Sequence, residues 1–436
     1  MQLLNNIKKQ VARWPYSLIS VMAGLSAFGA YTSMYAFRKA FAAGTFTGHQ
    51  YLHVDYKAWL VIAQVLGYML SKFYGIRFIA EVKSKSRGKS ILVLVGISWL
   101  ALLLFAVIPA PYNIICLFIN GFPLGMIWGL VFGYLEGRKA TEFMAAVLSI
   151  SLIFASGFVK TVARNVMGSM HISEYVMPFV TGAIFVVPLL LFVLFLEVMP
   201  PPTEQDRQLR TERSSMNATE RRAFLTRFLP GIILTIIVYL LLTVMRDIRD
   251  NFEVEIWHGL GVKNNNIFAS IDSVISVAVL VGISLLILIK NNLKAFAVIH
   301  IFIICGCLLA GVATLFFNAG AISPIWWMTM AGLGLYAGYV PYNAIFFERM
   351  IASFHYKSNV GFIMYVADAI GYLGSISVLL LKELGNPHIS WDLFFKNGLI
   401  ILSVIGTLSG ILSLIYFMQS ARKSTNEKKN LTFFTV

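Results

Sequence analysis

Along nearly its whole length the chain alternates runs of about twenty apolar residues with short polar breaks, the spacing expected when each run crosses a hydrocarbon layer about 30 Å thick. Twelve runs fit, at approximately 16–38, 58–80, 90–109, 112–135, 143–164, 176–197, 229–248, 268–290, 295–317, 325–347, 359–381 and 394–418. Each predicts a helix, because a segment inside a bilayer must satisfy its own backbone hydrogen bonds. One long internal break starts at Pro200-Pro201-Pro202 and stays polar and charge-mixed to Arg227, dividing the runs six and six. The predicted organisation is a six-helix bundle over 1–199, a cytoplasmic linker over 200–228 and a second six-helix bundle over 229–436. Overlaying the halves with a shift of about 211 residues sets Arg38 on Arg249, Met34 on Met245 and Phe41 on Phe252, and the second run on the eighth.

Composition agrees: 58% hydrophobic residues and 13% charged ones exclude a soluble protein of this length. The net charge of +15 would suggest a nucleic-acid partner if it were spread evenly, but it is not. Lys8, Lys9 and Arg13 precede the first run; Lys83, Lys85, Arg87 and Lys89 follow the second; Arg138 and Lys139 follow the fourth; a basic cluster from Arg207 to Arg227 follows the sixth. Lys290, Lys294, Arg349, Lys357, Arg422, Lys423, Lys428 and Lys429 continue the pattern, and the intervening loops are nearly bare. The asymmetry predicts a multi-pass protein of the cell (inner) membrane with both termini cytoplasmic, and no nucleic-acid partner. Trp59, Trp257, Trp326, Trp327 and Trp391 fall at predicted outer helix ends and Trp14 at an inner one, where tryptophans anchor in the headgroup layer. The first run is too long for a signal-peptide core and no small-residue cleavage site follows it, so it is expected to be retained. Cys116, Cys305 and Cys307 lie inside runs and read as packing residues rather than a disulfide or zinc framework.

Charge inside the runs is the informative remainder, since a cation at mid-bilayer costs about 2.5–3.5 kcal/mol even on the lenient insertion scale. Helical spacing sets Tyr31, Tyr35 and Arg38 on one face, an arrangement suited to holding an anion. The competing reading has Arg38 reaching the outer headgroups. In the seventh run Arg246, Arg249, Asp250 and Glu253 share a face, so either arginine is a second anion-binding cation or intrahelical ion pairs neutralise both. Lys160 and Arg164 of the fifth run and Asp272 of the eighth lie at comparable depth, and a bridge from either cation to Asp272 would close the outer side; separate headgroup contacts are the alternative. Asp368 lies ten residues inside the eleventh run with Tyr365, Tyr372 and Ser375 on its side, and Lys72 is its expected partner, in a proton-coupling role or a permanent buried pair. Gly121, Gly125, Gly129 and Gly133 make a close-packing stripe, as do Gly334 and Gly338 before Pro341, with Trp128, Tyr339 and Asn343 as cavity residues.

A parallel duplication of six-helix bundles resembles the major facilitator superfamily, which implies an all-α membrane protein of twelve transmembrane helices in two pseudo-symmetric bundles with a solute site at mid-membrane. That superfamily's loop signature after helix two is matched only by Gly67 to Arg77, with Ser71 in place of the acidic residue. Tyr35-Ala36-Phe37-Arg38-Lys39-Ala40-Phe41 is similar to the helix-one motif of organophosphate:phosphate antiporters. The resemblance implies that Arg38 holds phosphate together with Arg249 or Arg246. Arg246-Asp247-Ile248-Arg249-Asp250 also resembles a motif of ATP/ADP translocases, and the whole chain resembles a bacterial family of facilitator-like proteins of unassigned substrate.

The expectation is a secondary transporter of a small organic anion, phosphorylated or not, working by alternating access as a monomer without cofactor. A transporter-like sensor of an anionic solute and a nucleotide/phosphate exchanger are the alternatives. There is no phosphate-binding G-x-x-x-x-G-K-[ST] loop for direct use of ATP, and no His/Asp or paired-carboxylate constellation of an enzyme.

Overall fold

The computed structural model describes residues 2–81, 86–202, 218–354, 360–385 and 388–433. Most of the expected linker, Lys83, Lys85 and Lys357, and the side chains of Arg77, Tyr365, Lys423, Lys428 and Lys429 lie outside the described residues. The described chain is helical almost throughout: α1 (Gln2–Val11), α2 (Tyr16–Lys39), α3 (Tyr56–Glu81), α4 (Arg87–Val107), α5 (Ile114–Leu124), α6 (Ile127–Leu135), α7 (Thr141–Met170) and α8 (Met177–Val198), then α9 (Ala218–Gly259), α10 (Ile267–Ile287), α11 (Asn292–Asn318), α12 (Pro324–Pro341), α13 (Phe347–Phe354), α14 (Val360–Gly385), α15 (Trp391–Ile401) and α16 (Thr407–Phe433). A two-residue hairpin, β1 (Gln50–Tyr51) and β2 (Val54–Asp55), precedes α3, with Leu52 and His53 both at positive φ as a tight mirror-image turn requires. Among the described residues nine helices are long and apolar enough to cross a membrane. The other predicted spans are helical too, over Tyr56–Glu81, 324–354 and Val360–Gly385.

Local chemistry explains the departures from regular spans. The fourth run is split into α5 and α6 just past Pro123, whose ring cannot donate the next helical hydrogen bond. Pro341 is likewise followed by a π-helical turn, Tyr342–Phe346, before α13 resumes. The seventh run, expected to stop near residue 248, continues as helix to Gly259 with a kink at Phe252 (φ −117°, ψ 20°). Its charged residues read as a helix end in sequence; they are helical because neighbouring helices supply each with a partner.

Two expected interface tryptophans are core residues instead. Trp327 is fully buried, stacks on Phe317 at 4.6 Å and donates its indole N–H to Thr314 Oγ1 at 3.0 Å; Trp257 is 1% exposed. Trp391 stacks on Phe252 at the kink, with ring centroids 3.5 Å apart. Cys116 and Cys307 are buried, Cys305 is exposed, and all three are free thiols.

The chain forms two compact units. The first comprises Met1–Arg210, Asp247–Leu280 and Tyr372–Phe395; the second comprises Thr211–Arg246, Val281–Gly371 and Lys396–Val436. In the first unit the glycine stripe on α5 lies against the backbone of α3: a methyl at Gly121 would overlap the Gln64 carbonyl oxygen, and one at Gly125 would overlap Ser71 and crowd the Tyr68 carbonyl. Helices in a bilayer gain little from apolar burial against each other, so such backbone approach is a main source of specific packing. Gly121→Val is expected to destabilise the protein by about 1–3 kcal/mol through overpacking. A thermal unfolding midpoint in detergent unchanged from wild type would show that α3 and α5 do not meet this way.

Candidate functional site

Arg38 is positioned by the end of its own helix. The last carbonyls of an α-helix lack intrahelical donors, and here Asn120 Nδ2 donates to the Phe37 carbonyl at 2.9 Å while Gln64 Nε2 donates to that of Arg38 at 2.6 Å. Gln64 also donates to Asn120 Oδ1 at 2.8 Å, so α2, α3 and α5 are tied together beside the arginine. The α5 glycines let these two side chains meet. With its backbone held, Arg38 lays its guanidinium over the Tyr68 ring at 3.7 Å and near Tyr35 at 5.6 Å, and Tyr35 in turn contacts Tyr31 at 5.8 Å. Arg38 is 4% exposed, so it does not reach for headgroups. No carboxylate among the described residues lies within ion-pair distance of it, and its Nε has no hydrogen-bond acceptor. A cation–π contact offsets part of the desolvation cost and leaves the in-plane donors available.

One turn along α3 and α14 lies a small cavity. Tyr68 packs on Tyr372 at 5.6 Å, and Lys72 lies 5.4 Å from both rings. Val65, three residues before Tyr68, and Ser375, three after Tyr372, line the cavity together with Asp247 and Asn251 of α9. Its polar groups bond one another or adjacent residues: Ser375 donates to Asp247 Oδ2 at 2.8 Å, and Asn251 donates to the Asp247 carbonyl at 2.8 Å.

From Asp247 onward α9 carries charges that radiate to different helices of the first unit. Asp250 meets Lys39 of α2 at 2.9 Å, lies 3.7 Å from Lys160 of α7 and accepts from Ser156; Lys39 also donates to Asn251 at 2.6 Å. Glu253 meets Lys160 at 2.6 Å, Arg249 meets Asp272 of α10 at 2.7 Å and Glu253 at 3.5 Å, and Glu255 meets Lys57 of α3 at 2.5 Å. Three cations and three carboxylates thus interlock, with Lys160, Arg249, Glu253 and Asp272 all at 0% exposure, and Lys57 and Glu255 add a further pair. The bridge expected from Lys160 or Arg164 to Asp272 is therefore corrected: Arg249 takes Asp272, and Lys160 turns to Glu253 and Asp250. Arg164 donates to Asn265 Oδ1 at 3.3 Å and to the Ala43 carbonyl at 3.5 Å. A methyl at Gly157 would overlap the Phe268 carbonyl and crowd Asp272, so that glycine is what brings α10 up to α7.

In the second unit Arg246 lies over the Tyr339 ring at 4.3 Å, and Tyr339 stacks on Tyr239 at 5.5 Å. The Tyr239 hydroxyl donates to Asp368 and lies 3.4 Å from that of Tyr339. Asn343 sits in the π-helical turn, and its buried Nδ2 has no acceptor among the described residues. Sequence reasoning missed Tyr68, Lys39, Lys57, Glu255 and Asn251. Only the density of charge between 246 and 255 could have hinted at a network.

The arrangement is the major facilitator fold, which two solved structures share at nearly full length. The D-xylose–proton symporter matches with a TM-score of 0.62 and 13% identity, over 92% of this chain and 97% of that one. The xylose transporter XylE from E. coli, inward open, matches with a TM-score of 0.58 and 13% identity, over 91% and 94%. The model of the family of unknown function DUF5690 matches residues 40–420, and the chain belongs to that family. No curated protein matches the chain.

Lys160→Met is expected to cost about 3–5 kcal/mol of stability, because it leaves buried carboxylates without their cation. The double variant Lys160→Met/Glu253→Leu should recover most of that loss. Chemical unfolding in detergent micelles measures both, and equal losses in the two variants would mean that the charges are not coupled.

Proposed function

We propose that the protein is a secondary transporter for a small organic anion, working by alternating access of the bundles 1–199 and 229–436 in the inner membrane, as a monomer with cytoplasmic termini. The observation that carries this reading is Arg38: a buried guanidinium held by rings and by no carboxylate among the described residues, on a fold shared with two transporters. The neighbours' names specify xylose, a neutral sugar, and a neutral solute has no use for a buried cation awaiting a counter-charge. Of the two arginines expected to supply a second cation, Arg249 is committed to Asp272 and Glu253. Tyr31 and Tyr35 complete the solute contacts in the first unit. Asp368, bonded to Tyr239, is the candidate for coupling.

The α9 charges are proposed as the outer gate. An interlocked set of buried ion pairs is a poor source of net stability but a good two-state lock, since its members regain water when the halves part. Asp272→Asn leaves Arg249 short of a carboxylate. A cysteine introduced by Val65→Cys should then label several-fold faster with an impermeant maleimide added from outside. Unchanged labelling would reject the gate.

Counterflow in proteoliposomes preloaded with phosphate, sugar phosphates, nucleotides or carboxylates tests the transport reading. Arg38→Gln is expected to weaken the solute about 10- to 100-fold, the worth of a charge-assisted hydrogen-bond set, and Arg38→Lys should recover little because an ammonium lacks the planar fork. Exchange against phosphate would favour the antiporter resemblance of Tyr35 to Phe41. Flux of organic cations alone would reject the reading, and binding without flux of any anion would indicate a sensor.

A further inference from the structure

We propose that α1 and the turn after it form a docking surface for the bilayer, lying at headgroup level and holding the phosphates of anionic lipids. This surface is separate from the solute site and independent of which solute is carried.

The helix has two chemically distinct faces. Ile7 and Val11 lie one turn apart on the first; Lys9 follows Ile7 by two residues, about 200° around the axis, and Arg13 lies one turn beyond Lys9. α1 packs against α8 and Val11 is buried, yet Ile7 on the same stripe is 37% exposed. The apolar stripe therefore runs off the edge of the protein. On the other face Lys9 and Arg13 are exposed, and Lys8 is half-buried at its flank.

Depth follows from the junction with α2. Ala12 still bonds back to the Lys8 carbonyl, then Arg13 and Trp14 close a turn onto Gln10 and Val11 at 3.1 Å each, and Pro15 is extended (φ −56°, ψ 143°). α1 thus leaves the line of α2 just before that span begins at Tyr16, where Trp14, Tyr16 and Leu18 are all exposed. Indole rings anchor at the edge of the hydrocarbon layer, and a helix with one apolar and one basic face lies in that plane.

Charge selects the occupant. No Asp or Glu precedes Asp55 in the chain, and Lys8, Lys9 and Arg13 make no ion pair among the described residues. A second copy of this surface would bring like charges together. Anionic headgroups match it, and each Lys or Arg near such a leaflet is worth about a fivefold preference.

The test is hydrogen–deuterium exchange of the full-length protein over residues 2–14, in nanodiscs of phosphatidylcholine alone and of phosphatidylcholine mixed with phosphatidylglycerol. Exchange should be at least about fivefold slower in the mixture, and high salt should remove most of that difference. The variant Lys8→Gln/Lys9→Gln/Arg13→Gln should exchange equally fast in both lipids, whereas Lys8→Arg/Lys9→Arg should keep the wild-type difference. Ile7→Ser should speed exchange in both. Equal wild-type exchange in the two lipids, or slow exchange kept by the triple glutamine variant, would overturn the inference. Equal protection in lipid-free detergent micelles would do so too, since packing on α8 alone would then account for it. Slowing by inorganic phosphate added to the phosphatidylcholine sample would make this a soluble-anion site and equally reject the lipid surface.

Discussion

A charge withdrawn from water into a low-dielectric interior must be matched nearby, and that requirement organises this molecule more than any apolar contact does. Desolvation costs several kcal/mol per ion even after relaxation, and the segment from Asp247 to Glu255 buries four charged side chains and an asparagine, with Glu255 half-buried at its end. The helix survives because α2, α3, α7, α10 and α14 each present a complementary group. Close backbone approach makes that possible, at Gly157 between α7 and α10 and at Gly121 and Gly125 between α5 and α3. The small residues and the charges are thus parts of one device: the glycines set the distances at which the ion pairs close.

The same physics explains which features were legible in the sequence. Helical spans follow from hydropathy alone, and the shared face of Tyr31, Tyr35 and Arg38 follows from a period of 3.6, so both match the structure. The packing role of the glycine stripe also followed from spacing. Partner choice did not. Whether Asp272 pairs with Lys160, Arg164 or Arg249 depends on the rotation and depth of three helices, and an error of one residue turns a side chain by about 100°. The two buried tryptophans failed for a related reason: position at a predicted helix end was read as contact with headgroups, whereas Thr314 offered Trp327 an internal acceptor. The cavity was invisible because its walls come from three elements far apart in the chain.

The repeat itself shows why one arginine is locked and the other is not. Under the shift of about 211 residues, Arg249 corresponds to Arg38, and its two carboxylate partners, Glu253 and Asp272, correspond to Ala42 and Val61. Asp250 corresponds to Lys39, so the two aligned positions carry opposite charges and are bound to each other at 2.9 Å. The first half therefore lacks, position by position, the acids that neutralise the arginine of the second. The two aligned helix segments thus make different contacts. The second holds its neighbours through carboxylates. The first keeps a guanidinium on an aromatic ring. An acid at Ala42 or Val61 would offer Arg38 an internal carboxylate, and Val61 is also a wall of the small cavity. Its apolar character serves both ends at once: it leaves Arg38 its charge and gives the cavity its surface.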